Sequence, residues 1–454
     1  MRGRIQLMCG GMRRIFVAGM LILSQSLQAQ GVLPSIRVPP LPAIGRPGTL
    51  GAAVPALTNE LASRQLRDVR RLYVRNLVRR HRDALELDPG GAAIMRGEVL
   101  AFSPSDAAVA KARAAGFSVL RERTLDGLDG RIVVFEPPRG TSTRRALATL
   151  RSLDPSGSYE FNHIYTDSGT VIPAGASGTP TEPGDASQPA AAQAMPDPGE
   201  GTRLGLIDGG VDTSHAVFRD IVIHQHGCDG KPTPGAHGTA VASLMIGRSM
   251  KFHGAAAGSE LYSADVYCGL EEGGAVDAIA DAFAWLVRER VPVINVSLVG
   301  PPNGMLERVI RAVIARGHVV VAAVGNDGPA AAPLYPAAYP DVVGVTAVDS
   351  SQRVLVEAER GRQVKFAAPG ADMAAAAPSQ SYSMVRGTSF ASPIVAGLLA
   401  AHMSEPNRGM AERAVAELAR EAVDLGAPGP DPVYGDGLVG ANVRPEPALA
   451  RRAD

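Results

Sequence analysis

The chain is predicted to be α/β, a doubly wound, mostly parallel sheet with helices on both faces, preceded by a small α+β module. Three observations predict this. From Thr202 onward, short apolar strands such as Leu204–Ile207 and Val319–Ala323 alternate with apolar helical stretches, the pattern of a parallel sheet. Between Glu98 and Tyr165 the order is strand, helix, strand, strand, helix, strand, a split βαβ unit. The length of 454 residues and 45% hydrophobic content supply enough apolar surface for two separate cores. Lys and Arg number 45 against 45 Asp and Glu, so the net charge gives no reason to invoke nucleic acid. The three cysteines, Cys9, Cys228 and Cys268, lack the Cys-x-x-Cys spacing of a zinc site, and no metal is expected from them.

At the start, Arg2, Arg4, Arg13 and Arg14 precede the apolar run Ile15 to Leu23, which is followed by small and polar residues ending in Ala29. Residues 1–29 therefore read as a signal peptide, too short in its apolar part to span a bilayer. The protein is expected to be exported, to the periplasm or beyond the cell, and to meet the membrane only through that signal. Residues 30–57, rich in Pro, Gly and Ala, read as a linker. Residues 58–96 read as an arginine-rich helical leader, with Leu61, Leu66, Val69, Leu72, Tyr73, Leu77 and Val78 at helical spacing, docking by that stripe with its arginines in water.

The module spans 97–166. Strands are predicted at Glu98–Phe102, Ser118–Arg123, Ile132–Phe135 and Tyr159–Tyr165, and helices at Pro104–Ala115 and Thr143–Leu153, with Gly116 closing the first helix. No ionisable constellation stands out, and its one histidine, His163, is expected to be packed or solvated. Residues 167–200, rich in Gly, Pro, Ala, Ser and Thr, read as a flexible connector. The larger domain is placed at 201–442 and a tail at 443–454.

Four stretches in the larger domain carry chemistry. The strand Leu204–Ile207 ends in Asp208-Gly209-Gly210, and carboxylates at the carboxyl ends of parallel strands are well placed to act on ligands. His237 opens the apolar run His237-Gly238-Thr239-Ala240-Val241-Ala242, where an imidazole can serve as a general base. Val319–Ala323 runs into Gly325-Asn326-Asp327-Gly328, whose amide can donate to a developing oxyanion. Gly387-Thr388-Ser389-Phe390-Ala391-Ser392-Pro393 sets a serine at the positive end of a buried helix, since proline fits only a helix's opening turn. Each stretch alone also fits a turn or a cap; their combination is what suggests catalysis.

In the order Asp208, His237, Asn326, Ser389 these stretches resemble the subtilisin-like serine proteases, or subtilases, over residues 200–442. Val293-Ile294-Asn295-Val296-Ser297-Leu298, Tyr335-Pro336-Ala337-Ala338-Tyr339-Pro340 and Asp431-Pro432-Val433-Tyr434-Gly435 also look like family stretches. The resemblance implies a subtilisin-like fold, a Ser389–His237–Asp208 triad acting through an acyl-enzyme, and Asn326 in the oxyanion hole. It also implies a substrate edge at Ser297, Leu298, Val299, Val324 and Gly325. No cofactor is implied. The partner expected is a protein or peptide substrate, together with the chain's own module in cis, which resembles the family's propeptide and makes a self-processing zymogen the expectation. Oligomeric state is left open.

Several positions depart from the family. Gly209 replaces the usual hydroxyl residue after the aspartate, and Val299 stands where a glycine usually walls the specificity pocket, which predicts small or medium apolar residues before the cleaved bond. Val217 replaces an acid of calcium-binding relatives, and no oxygen-rich loop is evident, so calcium is not assigned. Cys228 and Cys268 are a candidate disulfide in an exported protein, with two unrelated thiols as the alternative. His215, His224, His226, His253 and His318 show no metal spacing. Two rival readings exist: a catalytically weak or inactive subtilase-fold binding or chaperone protein, and a lipase, which lacks its Gly-x-Ser-x-Gly elbow here.

Overall fold

A computed structural model describes residues 53–172, 202–268 and 273–451. The expected signal peptide and most of both linkers lie outside these residues. The N-terminal half begins with α1 (Ala53–Arg80), β1 (Leu85–Leu87) and β2 (Ala93–Phe102). The helix-and-strand pattern of the module follows as α2 (Asp106–Ala114), β3 (Ser118–Leu125), β4 (Gly130–Glu136), α3 (Thr143–Leu153), β5 (Ser158–Asp167) and β6 (Gly169–Ile172). Ser105 and Ser142 cap the two helices through their side chains, which fixes both starts. The split βαβ order is as read, with strands that run longer than the apolar pattern indicates, because backbone pairing at the strand ends continues past the apolar residues.

In the larger domain the elements are β7 (Arg203–Asp208), β8 (Ile223–His226), α4 (Ala236–Ile246), β9 (Glu260–Asp265), β10 (Gly273–Ala275) and α5 (Val276–Arg288). There follow β11 (Val293–Val296), β12 (Leu298–Val299), α6 (Gly304–Ala315), β13 (Val319–Ala323), β14 (Val343–Val348), β15 (Val364–Pro369), β16 (Met373–Ala377), β17 (Ser381–Gly387), α7 (Thr388–Ala400) and α8 (Arg408–Glu421). Seven strands form one sheet in the order β15-β14-β13-β11-β7-β9-β8, every neighbouring pair parallel. Its side chains alternate between two cores: Leu206, Val293 and Val321 face α4 and α7, while Ile207, Ile294 and Val320 face α5 and α6.

The module's antiparallel sheet also has two buried faces. Val99, Val133 and Phe135 pack with α2 and α3 around Ala112, Leu147 and Leu150. Leu100, Ile132 and Val134 point the other way and join the core of α5 and α6. A polar cluster pins the same interface: Arg121 makes a two-point pair with Glu98 at 2.6–2.7 Å and reaches Asp277, in the first turn of α5, at 2.7 Å. Asn162 donates to both Glu98 and Asp277 at 2.8 Å.

Three sequence-based boundaries change. Residues 167–172 are not connector: Asp167 ends β5, Ser168 lies between, and 169–172 form β6, which pairs with β17. Their Ser, Gly and Thr content has loop composition, and pairing partners far along the chain supply the order. The leader helix starts at Ala53, inside the expected linker, and ends at Arg80, so the leader's second half belongs to β1 and β2. Only the carboxyl-terminal end of its apolar stripe is a docking face. Leu61, Val69 and Leu72 are exposed, and the helix docks through Leu77, Val74 and Val78 and by polar contacts with the loop after Asn326. The tail folds onto the domain: Ala374 donates to the Pro445 carbonyl and Ala450 is buried.

Candidate active site

Asp208 closes β7 in the middle of the parallel sheet, fully buried, and its Oδ1 accepts the Gly209 N–H at 2.7 Å. The glycine there has a local counterpart: a Cβ on Gly209 would lie 3.1 Å from the Tyr267 ring, so a larger residue would require that ring to shift by a few tenths of an ångström. His237 is the second residue of α4. A Cβ on the next residue, Gly238, would overlap the Gly209 carbonyl oxygen, so glycine permits the close approach of α4 to the end of β7. That approach brings His237 Nδ1 to 2.9 Å from Asp208 Oδ1. The Phe390 ring tilts against the imidazole at 5.3 Å between centroids.

Ser389 is the second residue of α7. Its Oγ lies 2.5 Å from Ser168 Oγ, accepts from Ser168 N at 3.3 Å and donates to the Ser297 carbonyl at 3.1 Å. His237 Nε2 is buried without a hydrogen-bond partner, so the serine arm of the triad is open in this state. Asn326 Oδ1 accepts from Thr388 N at 3.3 Å, while Nδ2 faces Gly387: a Cβ built on Gly387 would lie 3.0 Å from Nδ2 and 2.9 Å from the Ser168 carbonyl oxygen. An amide donor, a serine and a backbone carbonyl thus converge at one helix start, an arrangement suited to acyl transfer.

Two carboxylates face the imidazole. Burial works against the imidazolium, yet Asp167 and then Asp208 outweigh it and push His237 up to about 9. Asp167 Oδ1 lies 3.8 Å from Nδ1. Among the described residues, Asp167, Asp208 and His237 form a group whose donor atoms lie within 4.8 Å of one another. Both carboxylates address the same ring nitrogen, the pattern of a carboxylate–imidazole pair.

The expected substrate edge divides. Leu298 and Val299 form β12 and pair with Asp167 and Thr166 of β5. Ser297 turns inward, its Oγ donating to the Ser389 carbonyl at 3.0 Å and taking Asn295 Nδ2 at 2.8 Å, so its side chain anchors α7. Val324 is core, and Gly325, at φ 112°, donates its N–H to Thr388 Oγ1 at 3.2 Å. Cys228 and Cys268 are disulfide-bonded across a separation of 40 residues. His215, His224, His226 and His318 each hydrogen-bond a carbonyl or carboxylate, and His253 is exposed. Asp167, Ser168 and the Glu98–Arg121–Asp277 cluster were not legible beforehand, since nothing local marks a linker-like Asp-Ser-Gly or a scattered ion pair.

The subtilase family profile matches residues 199–437, more than half of the chain. The chain belongs to the subtilase family. It is accordingly a serine endopeptidase. This subtilase is 31% identical over 248 residues to subtilisin BL of Lederbergia lenta, covering 54% of the chain and 90% of that relative. An alkaline protease of Shouchella clausii shares 31% identity over 248 residues, 54% of this chain and 64% of that one. Among solved structures, fervidolysin of Fervidobacterium pennivorans, described as a keratinolytic enzyme related to subtilisin, superposes with a TM-score of 0.64 at 20% identity. That match covers 82% of this chain and 62% of fervidolysin, and it speaks for the shared fold.

Proposed function

We propose that this subtilase is made as an exported, self-processing zymogen that hydrolyses peptide bonds through Ser389, His237 and Asp208. The observation that carries the reading is the buried Asp208–His237 pair beside a serine at the start of α7, with a strand of the same chain lying across it. Ser389 attacks the scissile carbonyl, His237 takes its proton through Nε2 and gives it to the leaving amine, and Asp208 holds the ring by Nδ1 and stabilises its charge. Asn326 Nδ2 and the Ser389 N–H receive the oxyanion. No metal or cofactor takes part in these steps.

The module acts as propeptide, covering the cleft through β5 until it is removed. Export is supported by the arginine-flanked apolar run ending at Leu23 and by the disulfide, which suits an oxidising compartment. No helix among the described residues is long and apolar enough to cross a membrane. Val299, in the substrate edge, favours small or medium apolar residues before the cleaved bond; peptide-library cleavage rich in large aromatics there would refute this. The deciding experiment compares the chain with Ser389→Ala for casein hydrolysis and serine-reagent labelling. Loss of both in the variant is expected. Equal hydrolysis by both proteins would remove Ser389 as nucleophile, and hydrolysis by neither would favour a binding protein.

A further inference from the structure

The strand across the site has a register. On one side of β5, Ile164, Tyr165 and Thr166 pair with Ala275, Gly274 and Gly273. On the other side, Thr166 and Asp167 pair with Val299 and Leu298. Past the site, β6 pairs Gly169 with Gly387, Thr170 with Arg386 and Val171 with Val385. Ser168 is the one residue between the two pairings, and it is the residue that meets Ser389.

Close packing holds this register. Gly387 has φ 136°, and a Cβ on it would stand 2.8 Å from Gly169 Cα and 2.9 Å from the Ser168 carbonyl oxygen. A Cβ on Gly169 would stand 2.5 Å from the Phe390 ring. Upstream, the Tyr165 side chain is fully buried, its hydroxyl donating to the Pro301 carbonyl at 2.5 Å, and it packs with Val276, Ile279 and Leu298. A shift by one residue would bury Ile164 or Thr166 in that slot and reverse the faces of the whole strand.

We propose that the first bond this enzyme cuts is its own Ser168–Gly169 peptide, and that the Asp167 carboxylate paces that cut. The proposal rests on the reading of Ser389, His237 and Asp208 as a working triad. Ser389 Oγ turns from Ser297 to the unpartnered His237 Nε2, gives it the proton and bonds to the Ser168 carbonyl carbon, whose oxygen becomes an oxyanion beside Asn326 Nδ2. Collapse breaks the C–N bond, and the Gly169 nitrogen leaves with the proton from His237. Water then gives a proton to His237 and attacks the acyl carbon; the ester bond to Ser389 Oγ breaks, Ser389 takes the proton back from His237, and the products carry a carboxylate on Ser168 and an amine on Gly169.

Pacing follows from what surrounds the base. Asp208 faces the imidazole from β7 and Asp167 from β5, α7 contributes the neutral Phe390 ring, and Asp265 of β9 stands behind Asp208. A base held up to about 9 is mostly protonated near neutrality, so the cut should quicken as pH rises. Departure of the strand carries Asp167 away and returns His237 to a range that suits catalysis on other substrates.

The test follows the full chain, Ser389→Ala and Asp167→Asn from pH 6 to pH 10, with circular dichroism to establish that each is folded. Amino-terminal sequencing of the larger product and mass mapping of the smaller one's carboxyl end define the earliest cut, with casein hydrolysis measured in parallel. The expected ends are Gly-Thr-Val-Ile and a terminal Ser168, absent in Ser389→Ala. An earliest cut elsewhere, with casein hydrolysis lost only in Ser389→Ala, overturns the bond assignment and leaves the protease reading standing. Absence of both the cut and casein hydrolysis in the wild type overturns both. Asp167→Asn is expected to move the rising limb of the processing profile down by about one pH unit or more; coincident profiles overturn the role given to Asp167.

Discussion

Gly238 shows how narrowly the site is built. Its missing Cβ lets α4 touch the turn after β7, so Gly238→Ala must push the helix start, and His237 with it, away from Asp208. We expect a loss of about 1–3 kcal/mol in stability and a fall in kcat larger than any change in KM; unchanged kinetics would contradict the close-approach argument. Asn326→Ala should lower kcat by about 10²–10³, the loss found for the same donor in subtilisin, with little change in KM. Glu359 is a second residue under tension. Burial and then Asp327 push it up to about 9 from 4.5, so it stays protonated in the fold while an unfolded chain ionises. The resulting cost is absent below pH 4.5 and grows as pH rises toward 9. Glu359→Gln should therefore melt higher than wild type at pH 8 and equally near pH 4, measured by thermal unfolding.

At the scale of elements, α5 and α1 tie the N-terminal half to the cleft by different means. Asp277 in α5 is held below its usual value although burial opposes this, because Arg121 and Arg123 approach it and Asn162 donates to it. Its contribution is complete above 3.8 and lost as pH falls through the lowered value, so acid should loosen the module. Arg121→Ala leaves Glu98 buried without its cation and Asp277 with Arg123 alone, a loss of about 3 kcal/mol. Urea unfolding should show it as a separate, earlier transition for the module. The helix α1 instead caps the loop after the oxyanion residue: Ser63 accepts from Ala330 N at 2.8 Å, and Arg70 reaches Asp327 and the Val299 carbonyl at 3.3 Å. That explains why its apolar stripe is partly in water. Its arginines, read from the sequence as a solvated face, supply much of the docking.

For the whole molecule, one continuous core runs from Leu100 and Val134 of the module into α5, α6 and the parallel sheet. Cutting one peptide bond leaves that core intact, so the two products should co-elute on gel filtration at neutral pH and separate in acid.

What could be read beforehand follows physical locality. The Asp208, His237, Asn326 and Ser389 stretches were legible because each joins a reactive side chain to its own strand end or helix start, and strand alternation fixed the two-faced parallel sheet. The apolar periods likewise placed α3 and β13 at their observed bounds. Only the tertiary structure decided that Asp167-Ser168-Gly169 threads the site, since antiparallel pairing with β12 and β17 is made by backbone groups that leave no mark on side-chain pattern. It alone also decided that a second carboxylate faces His237, because electrostatics depend on distance through space and those two residues stand far apart along the chain.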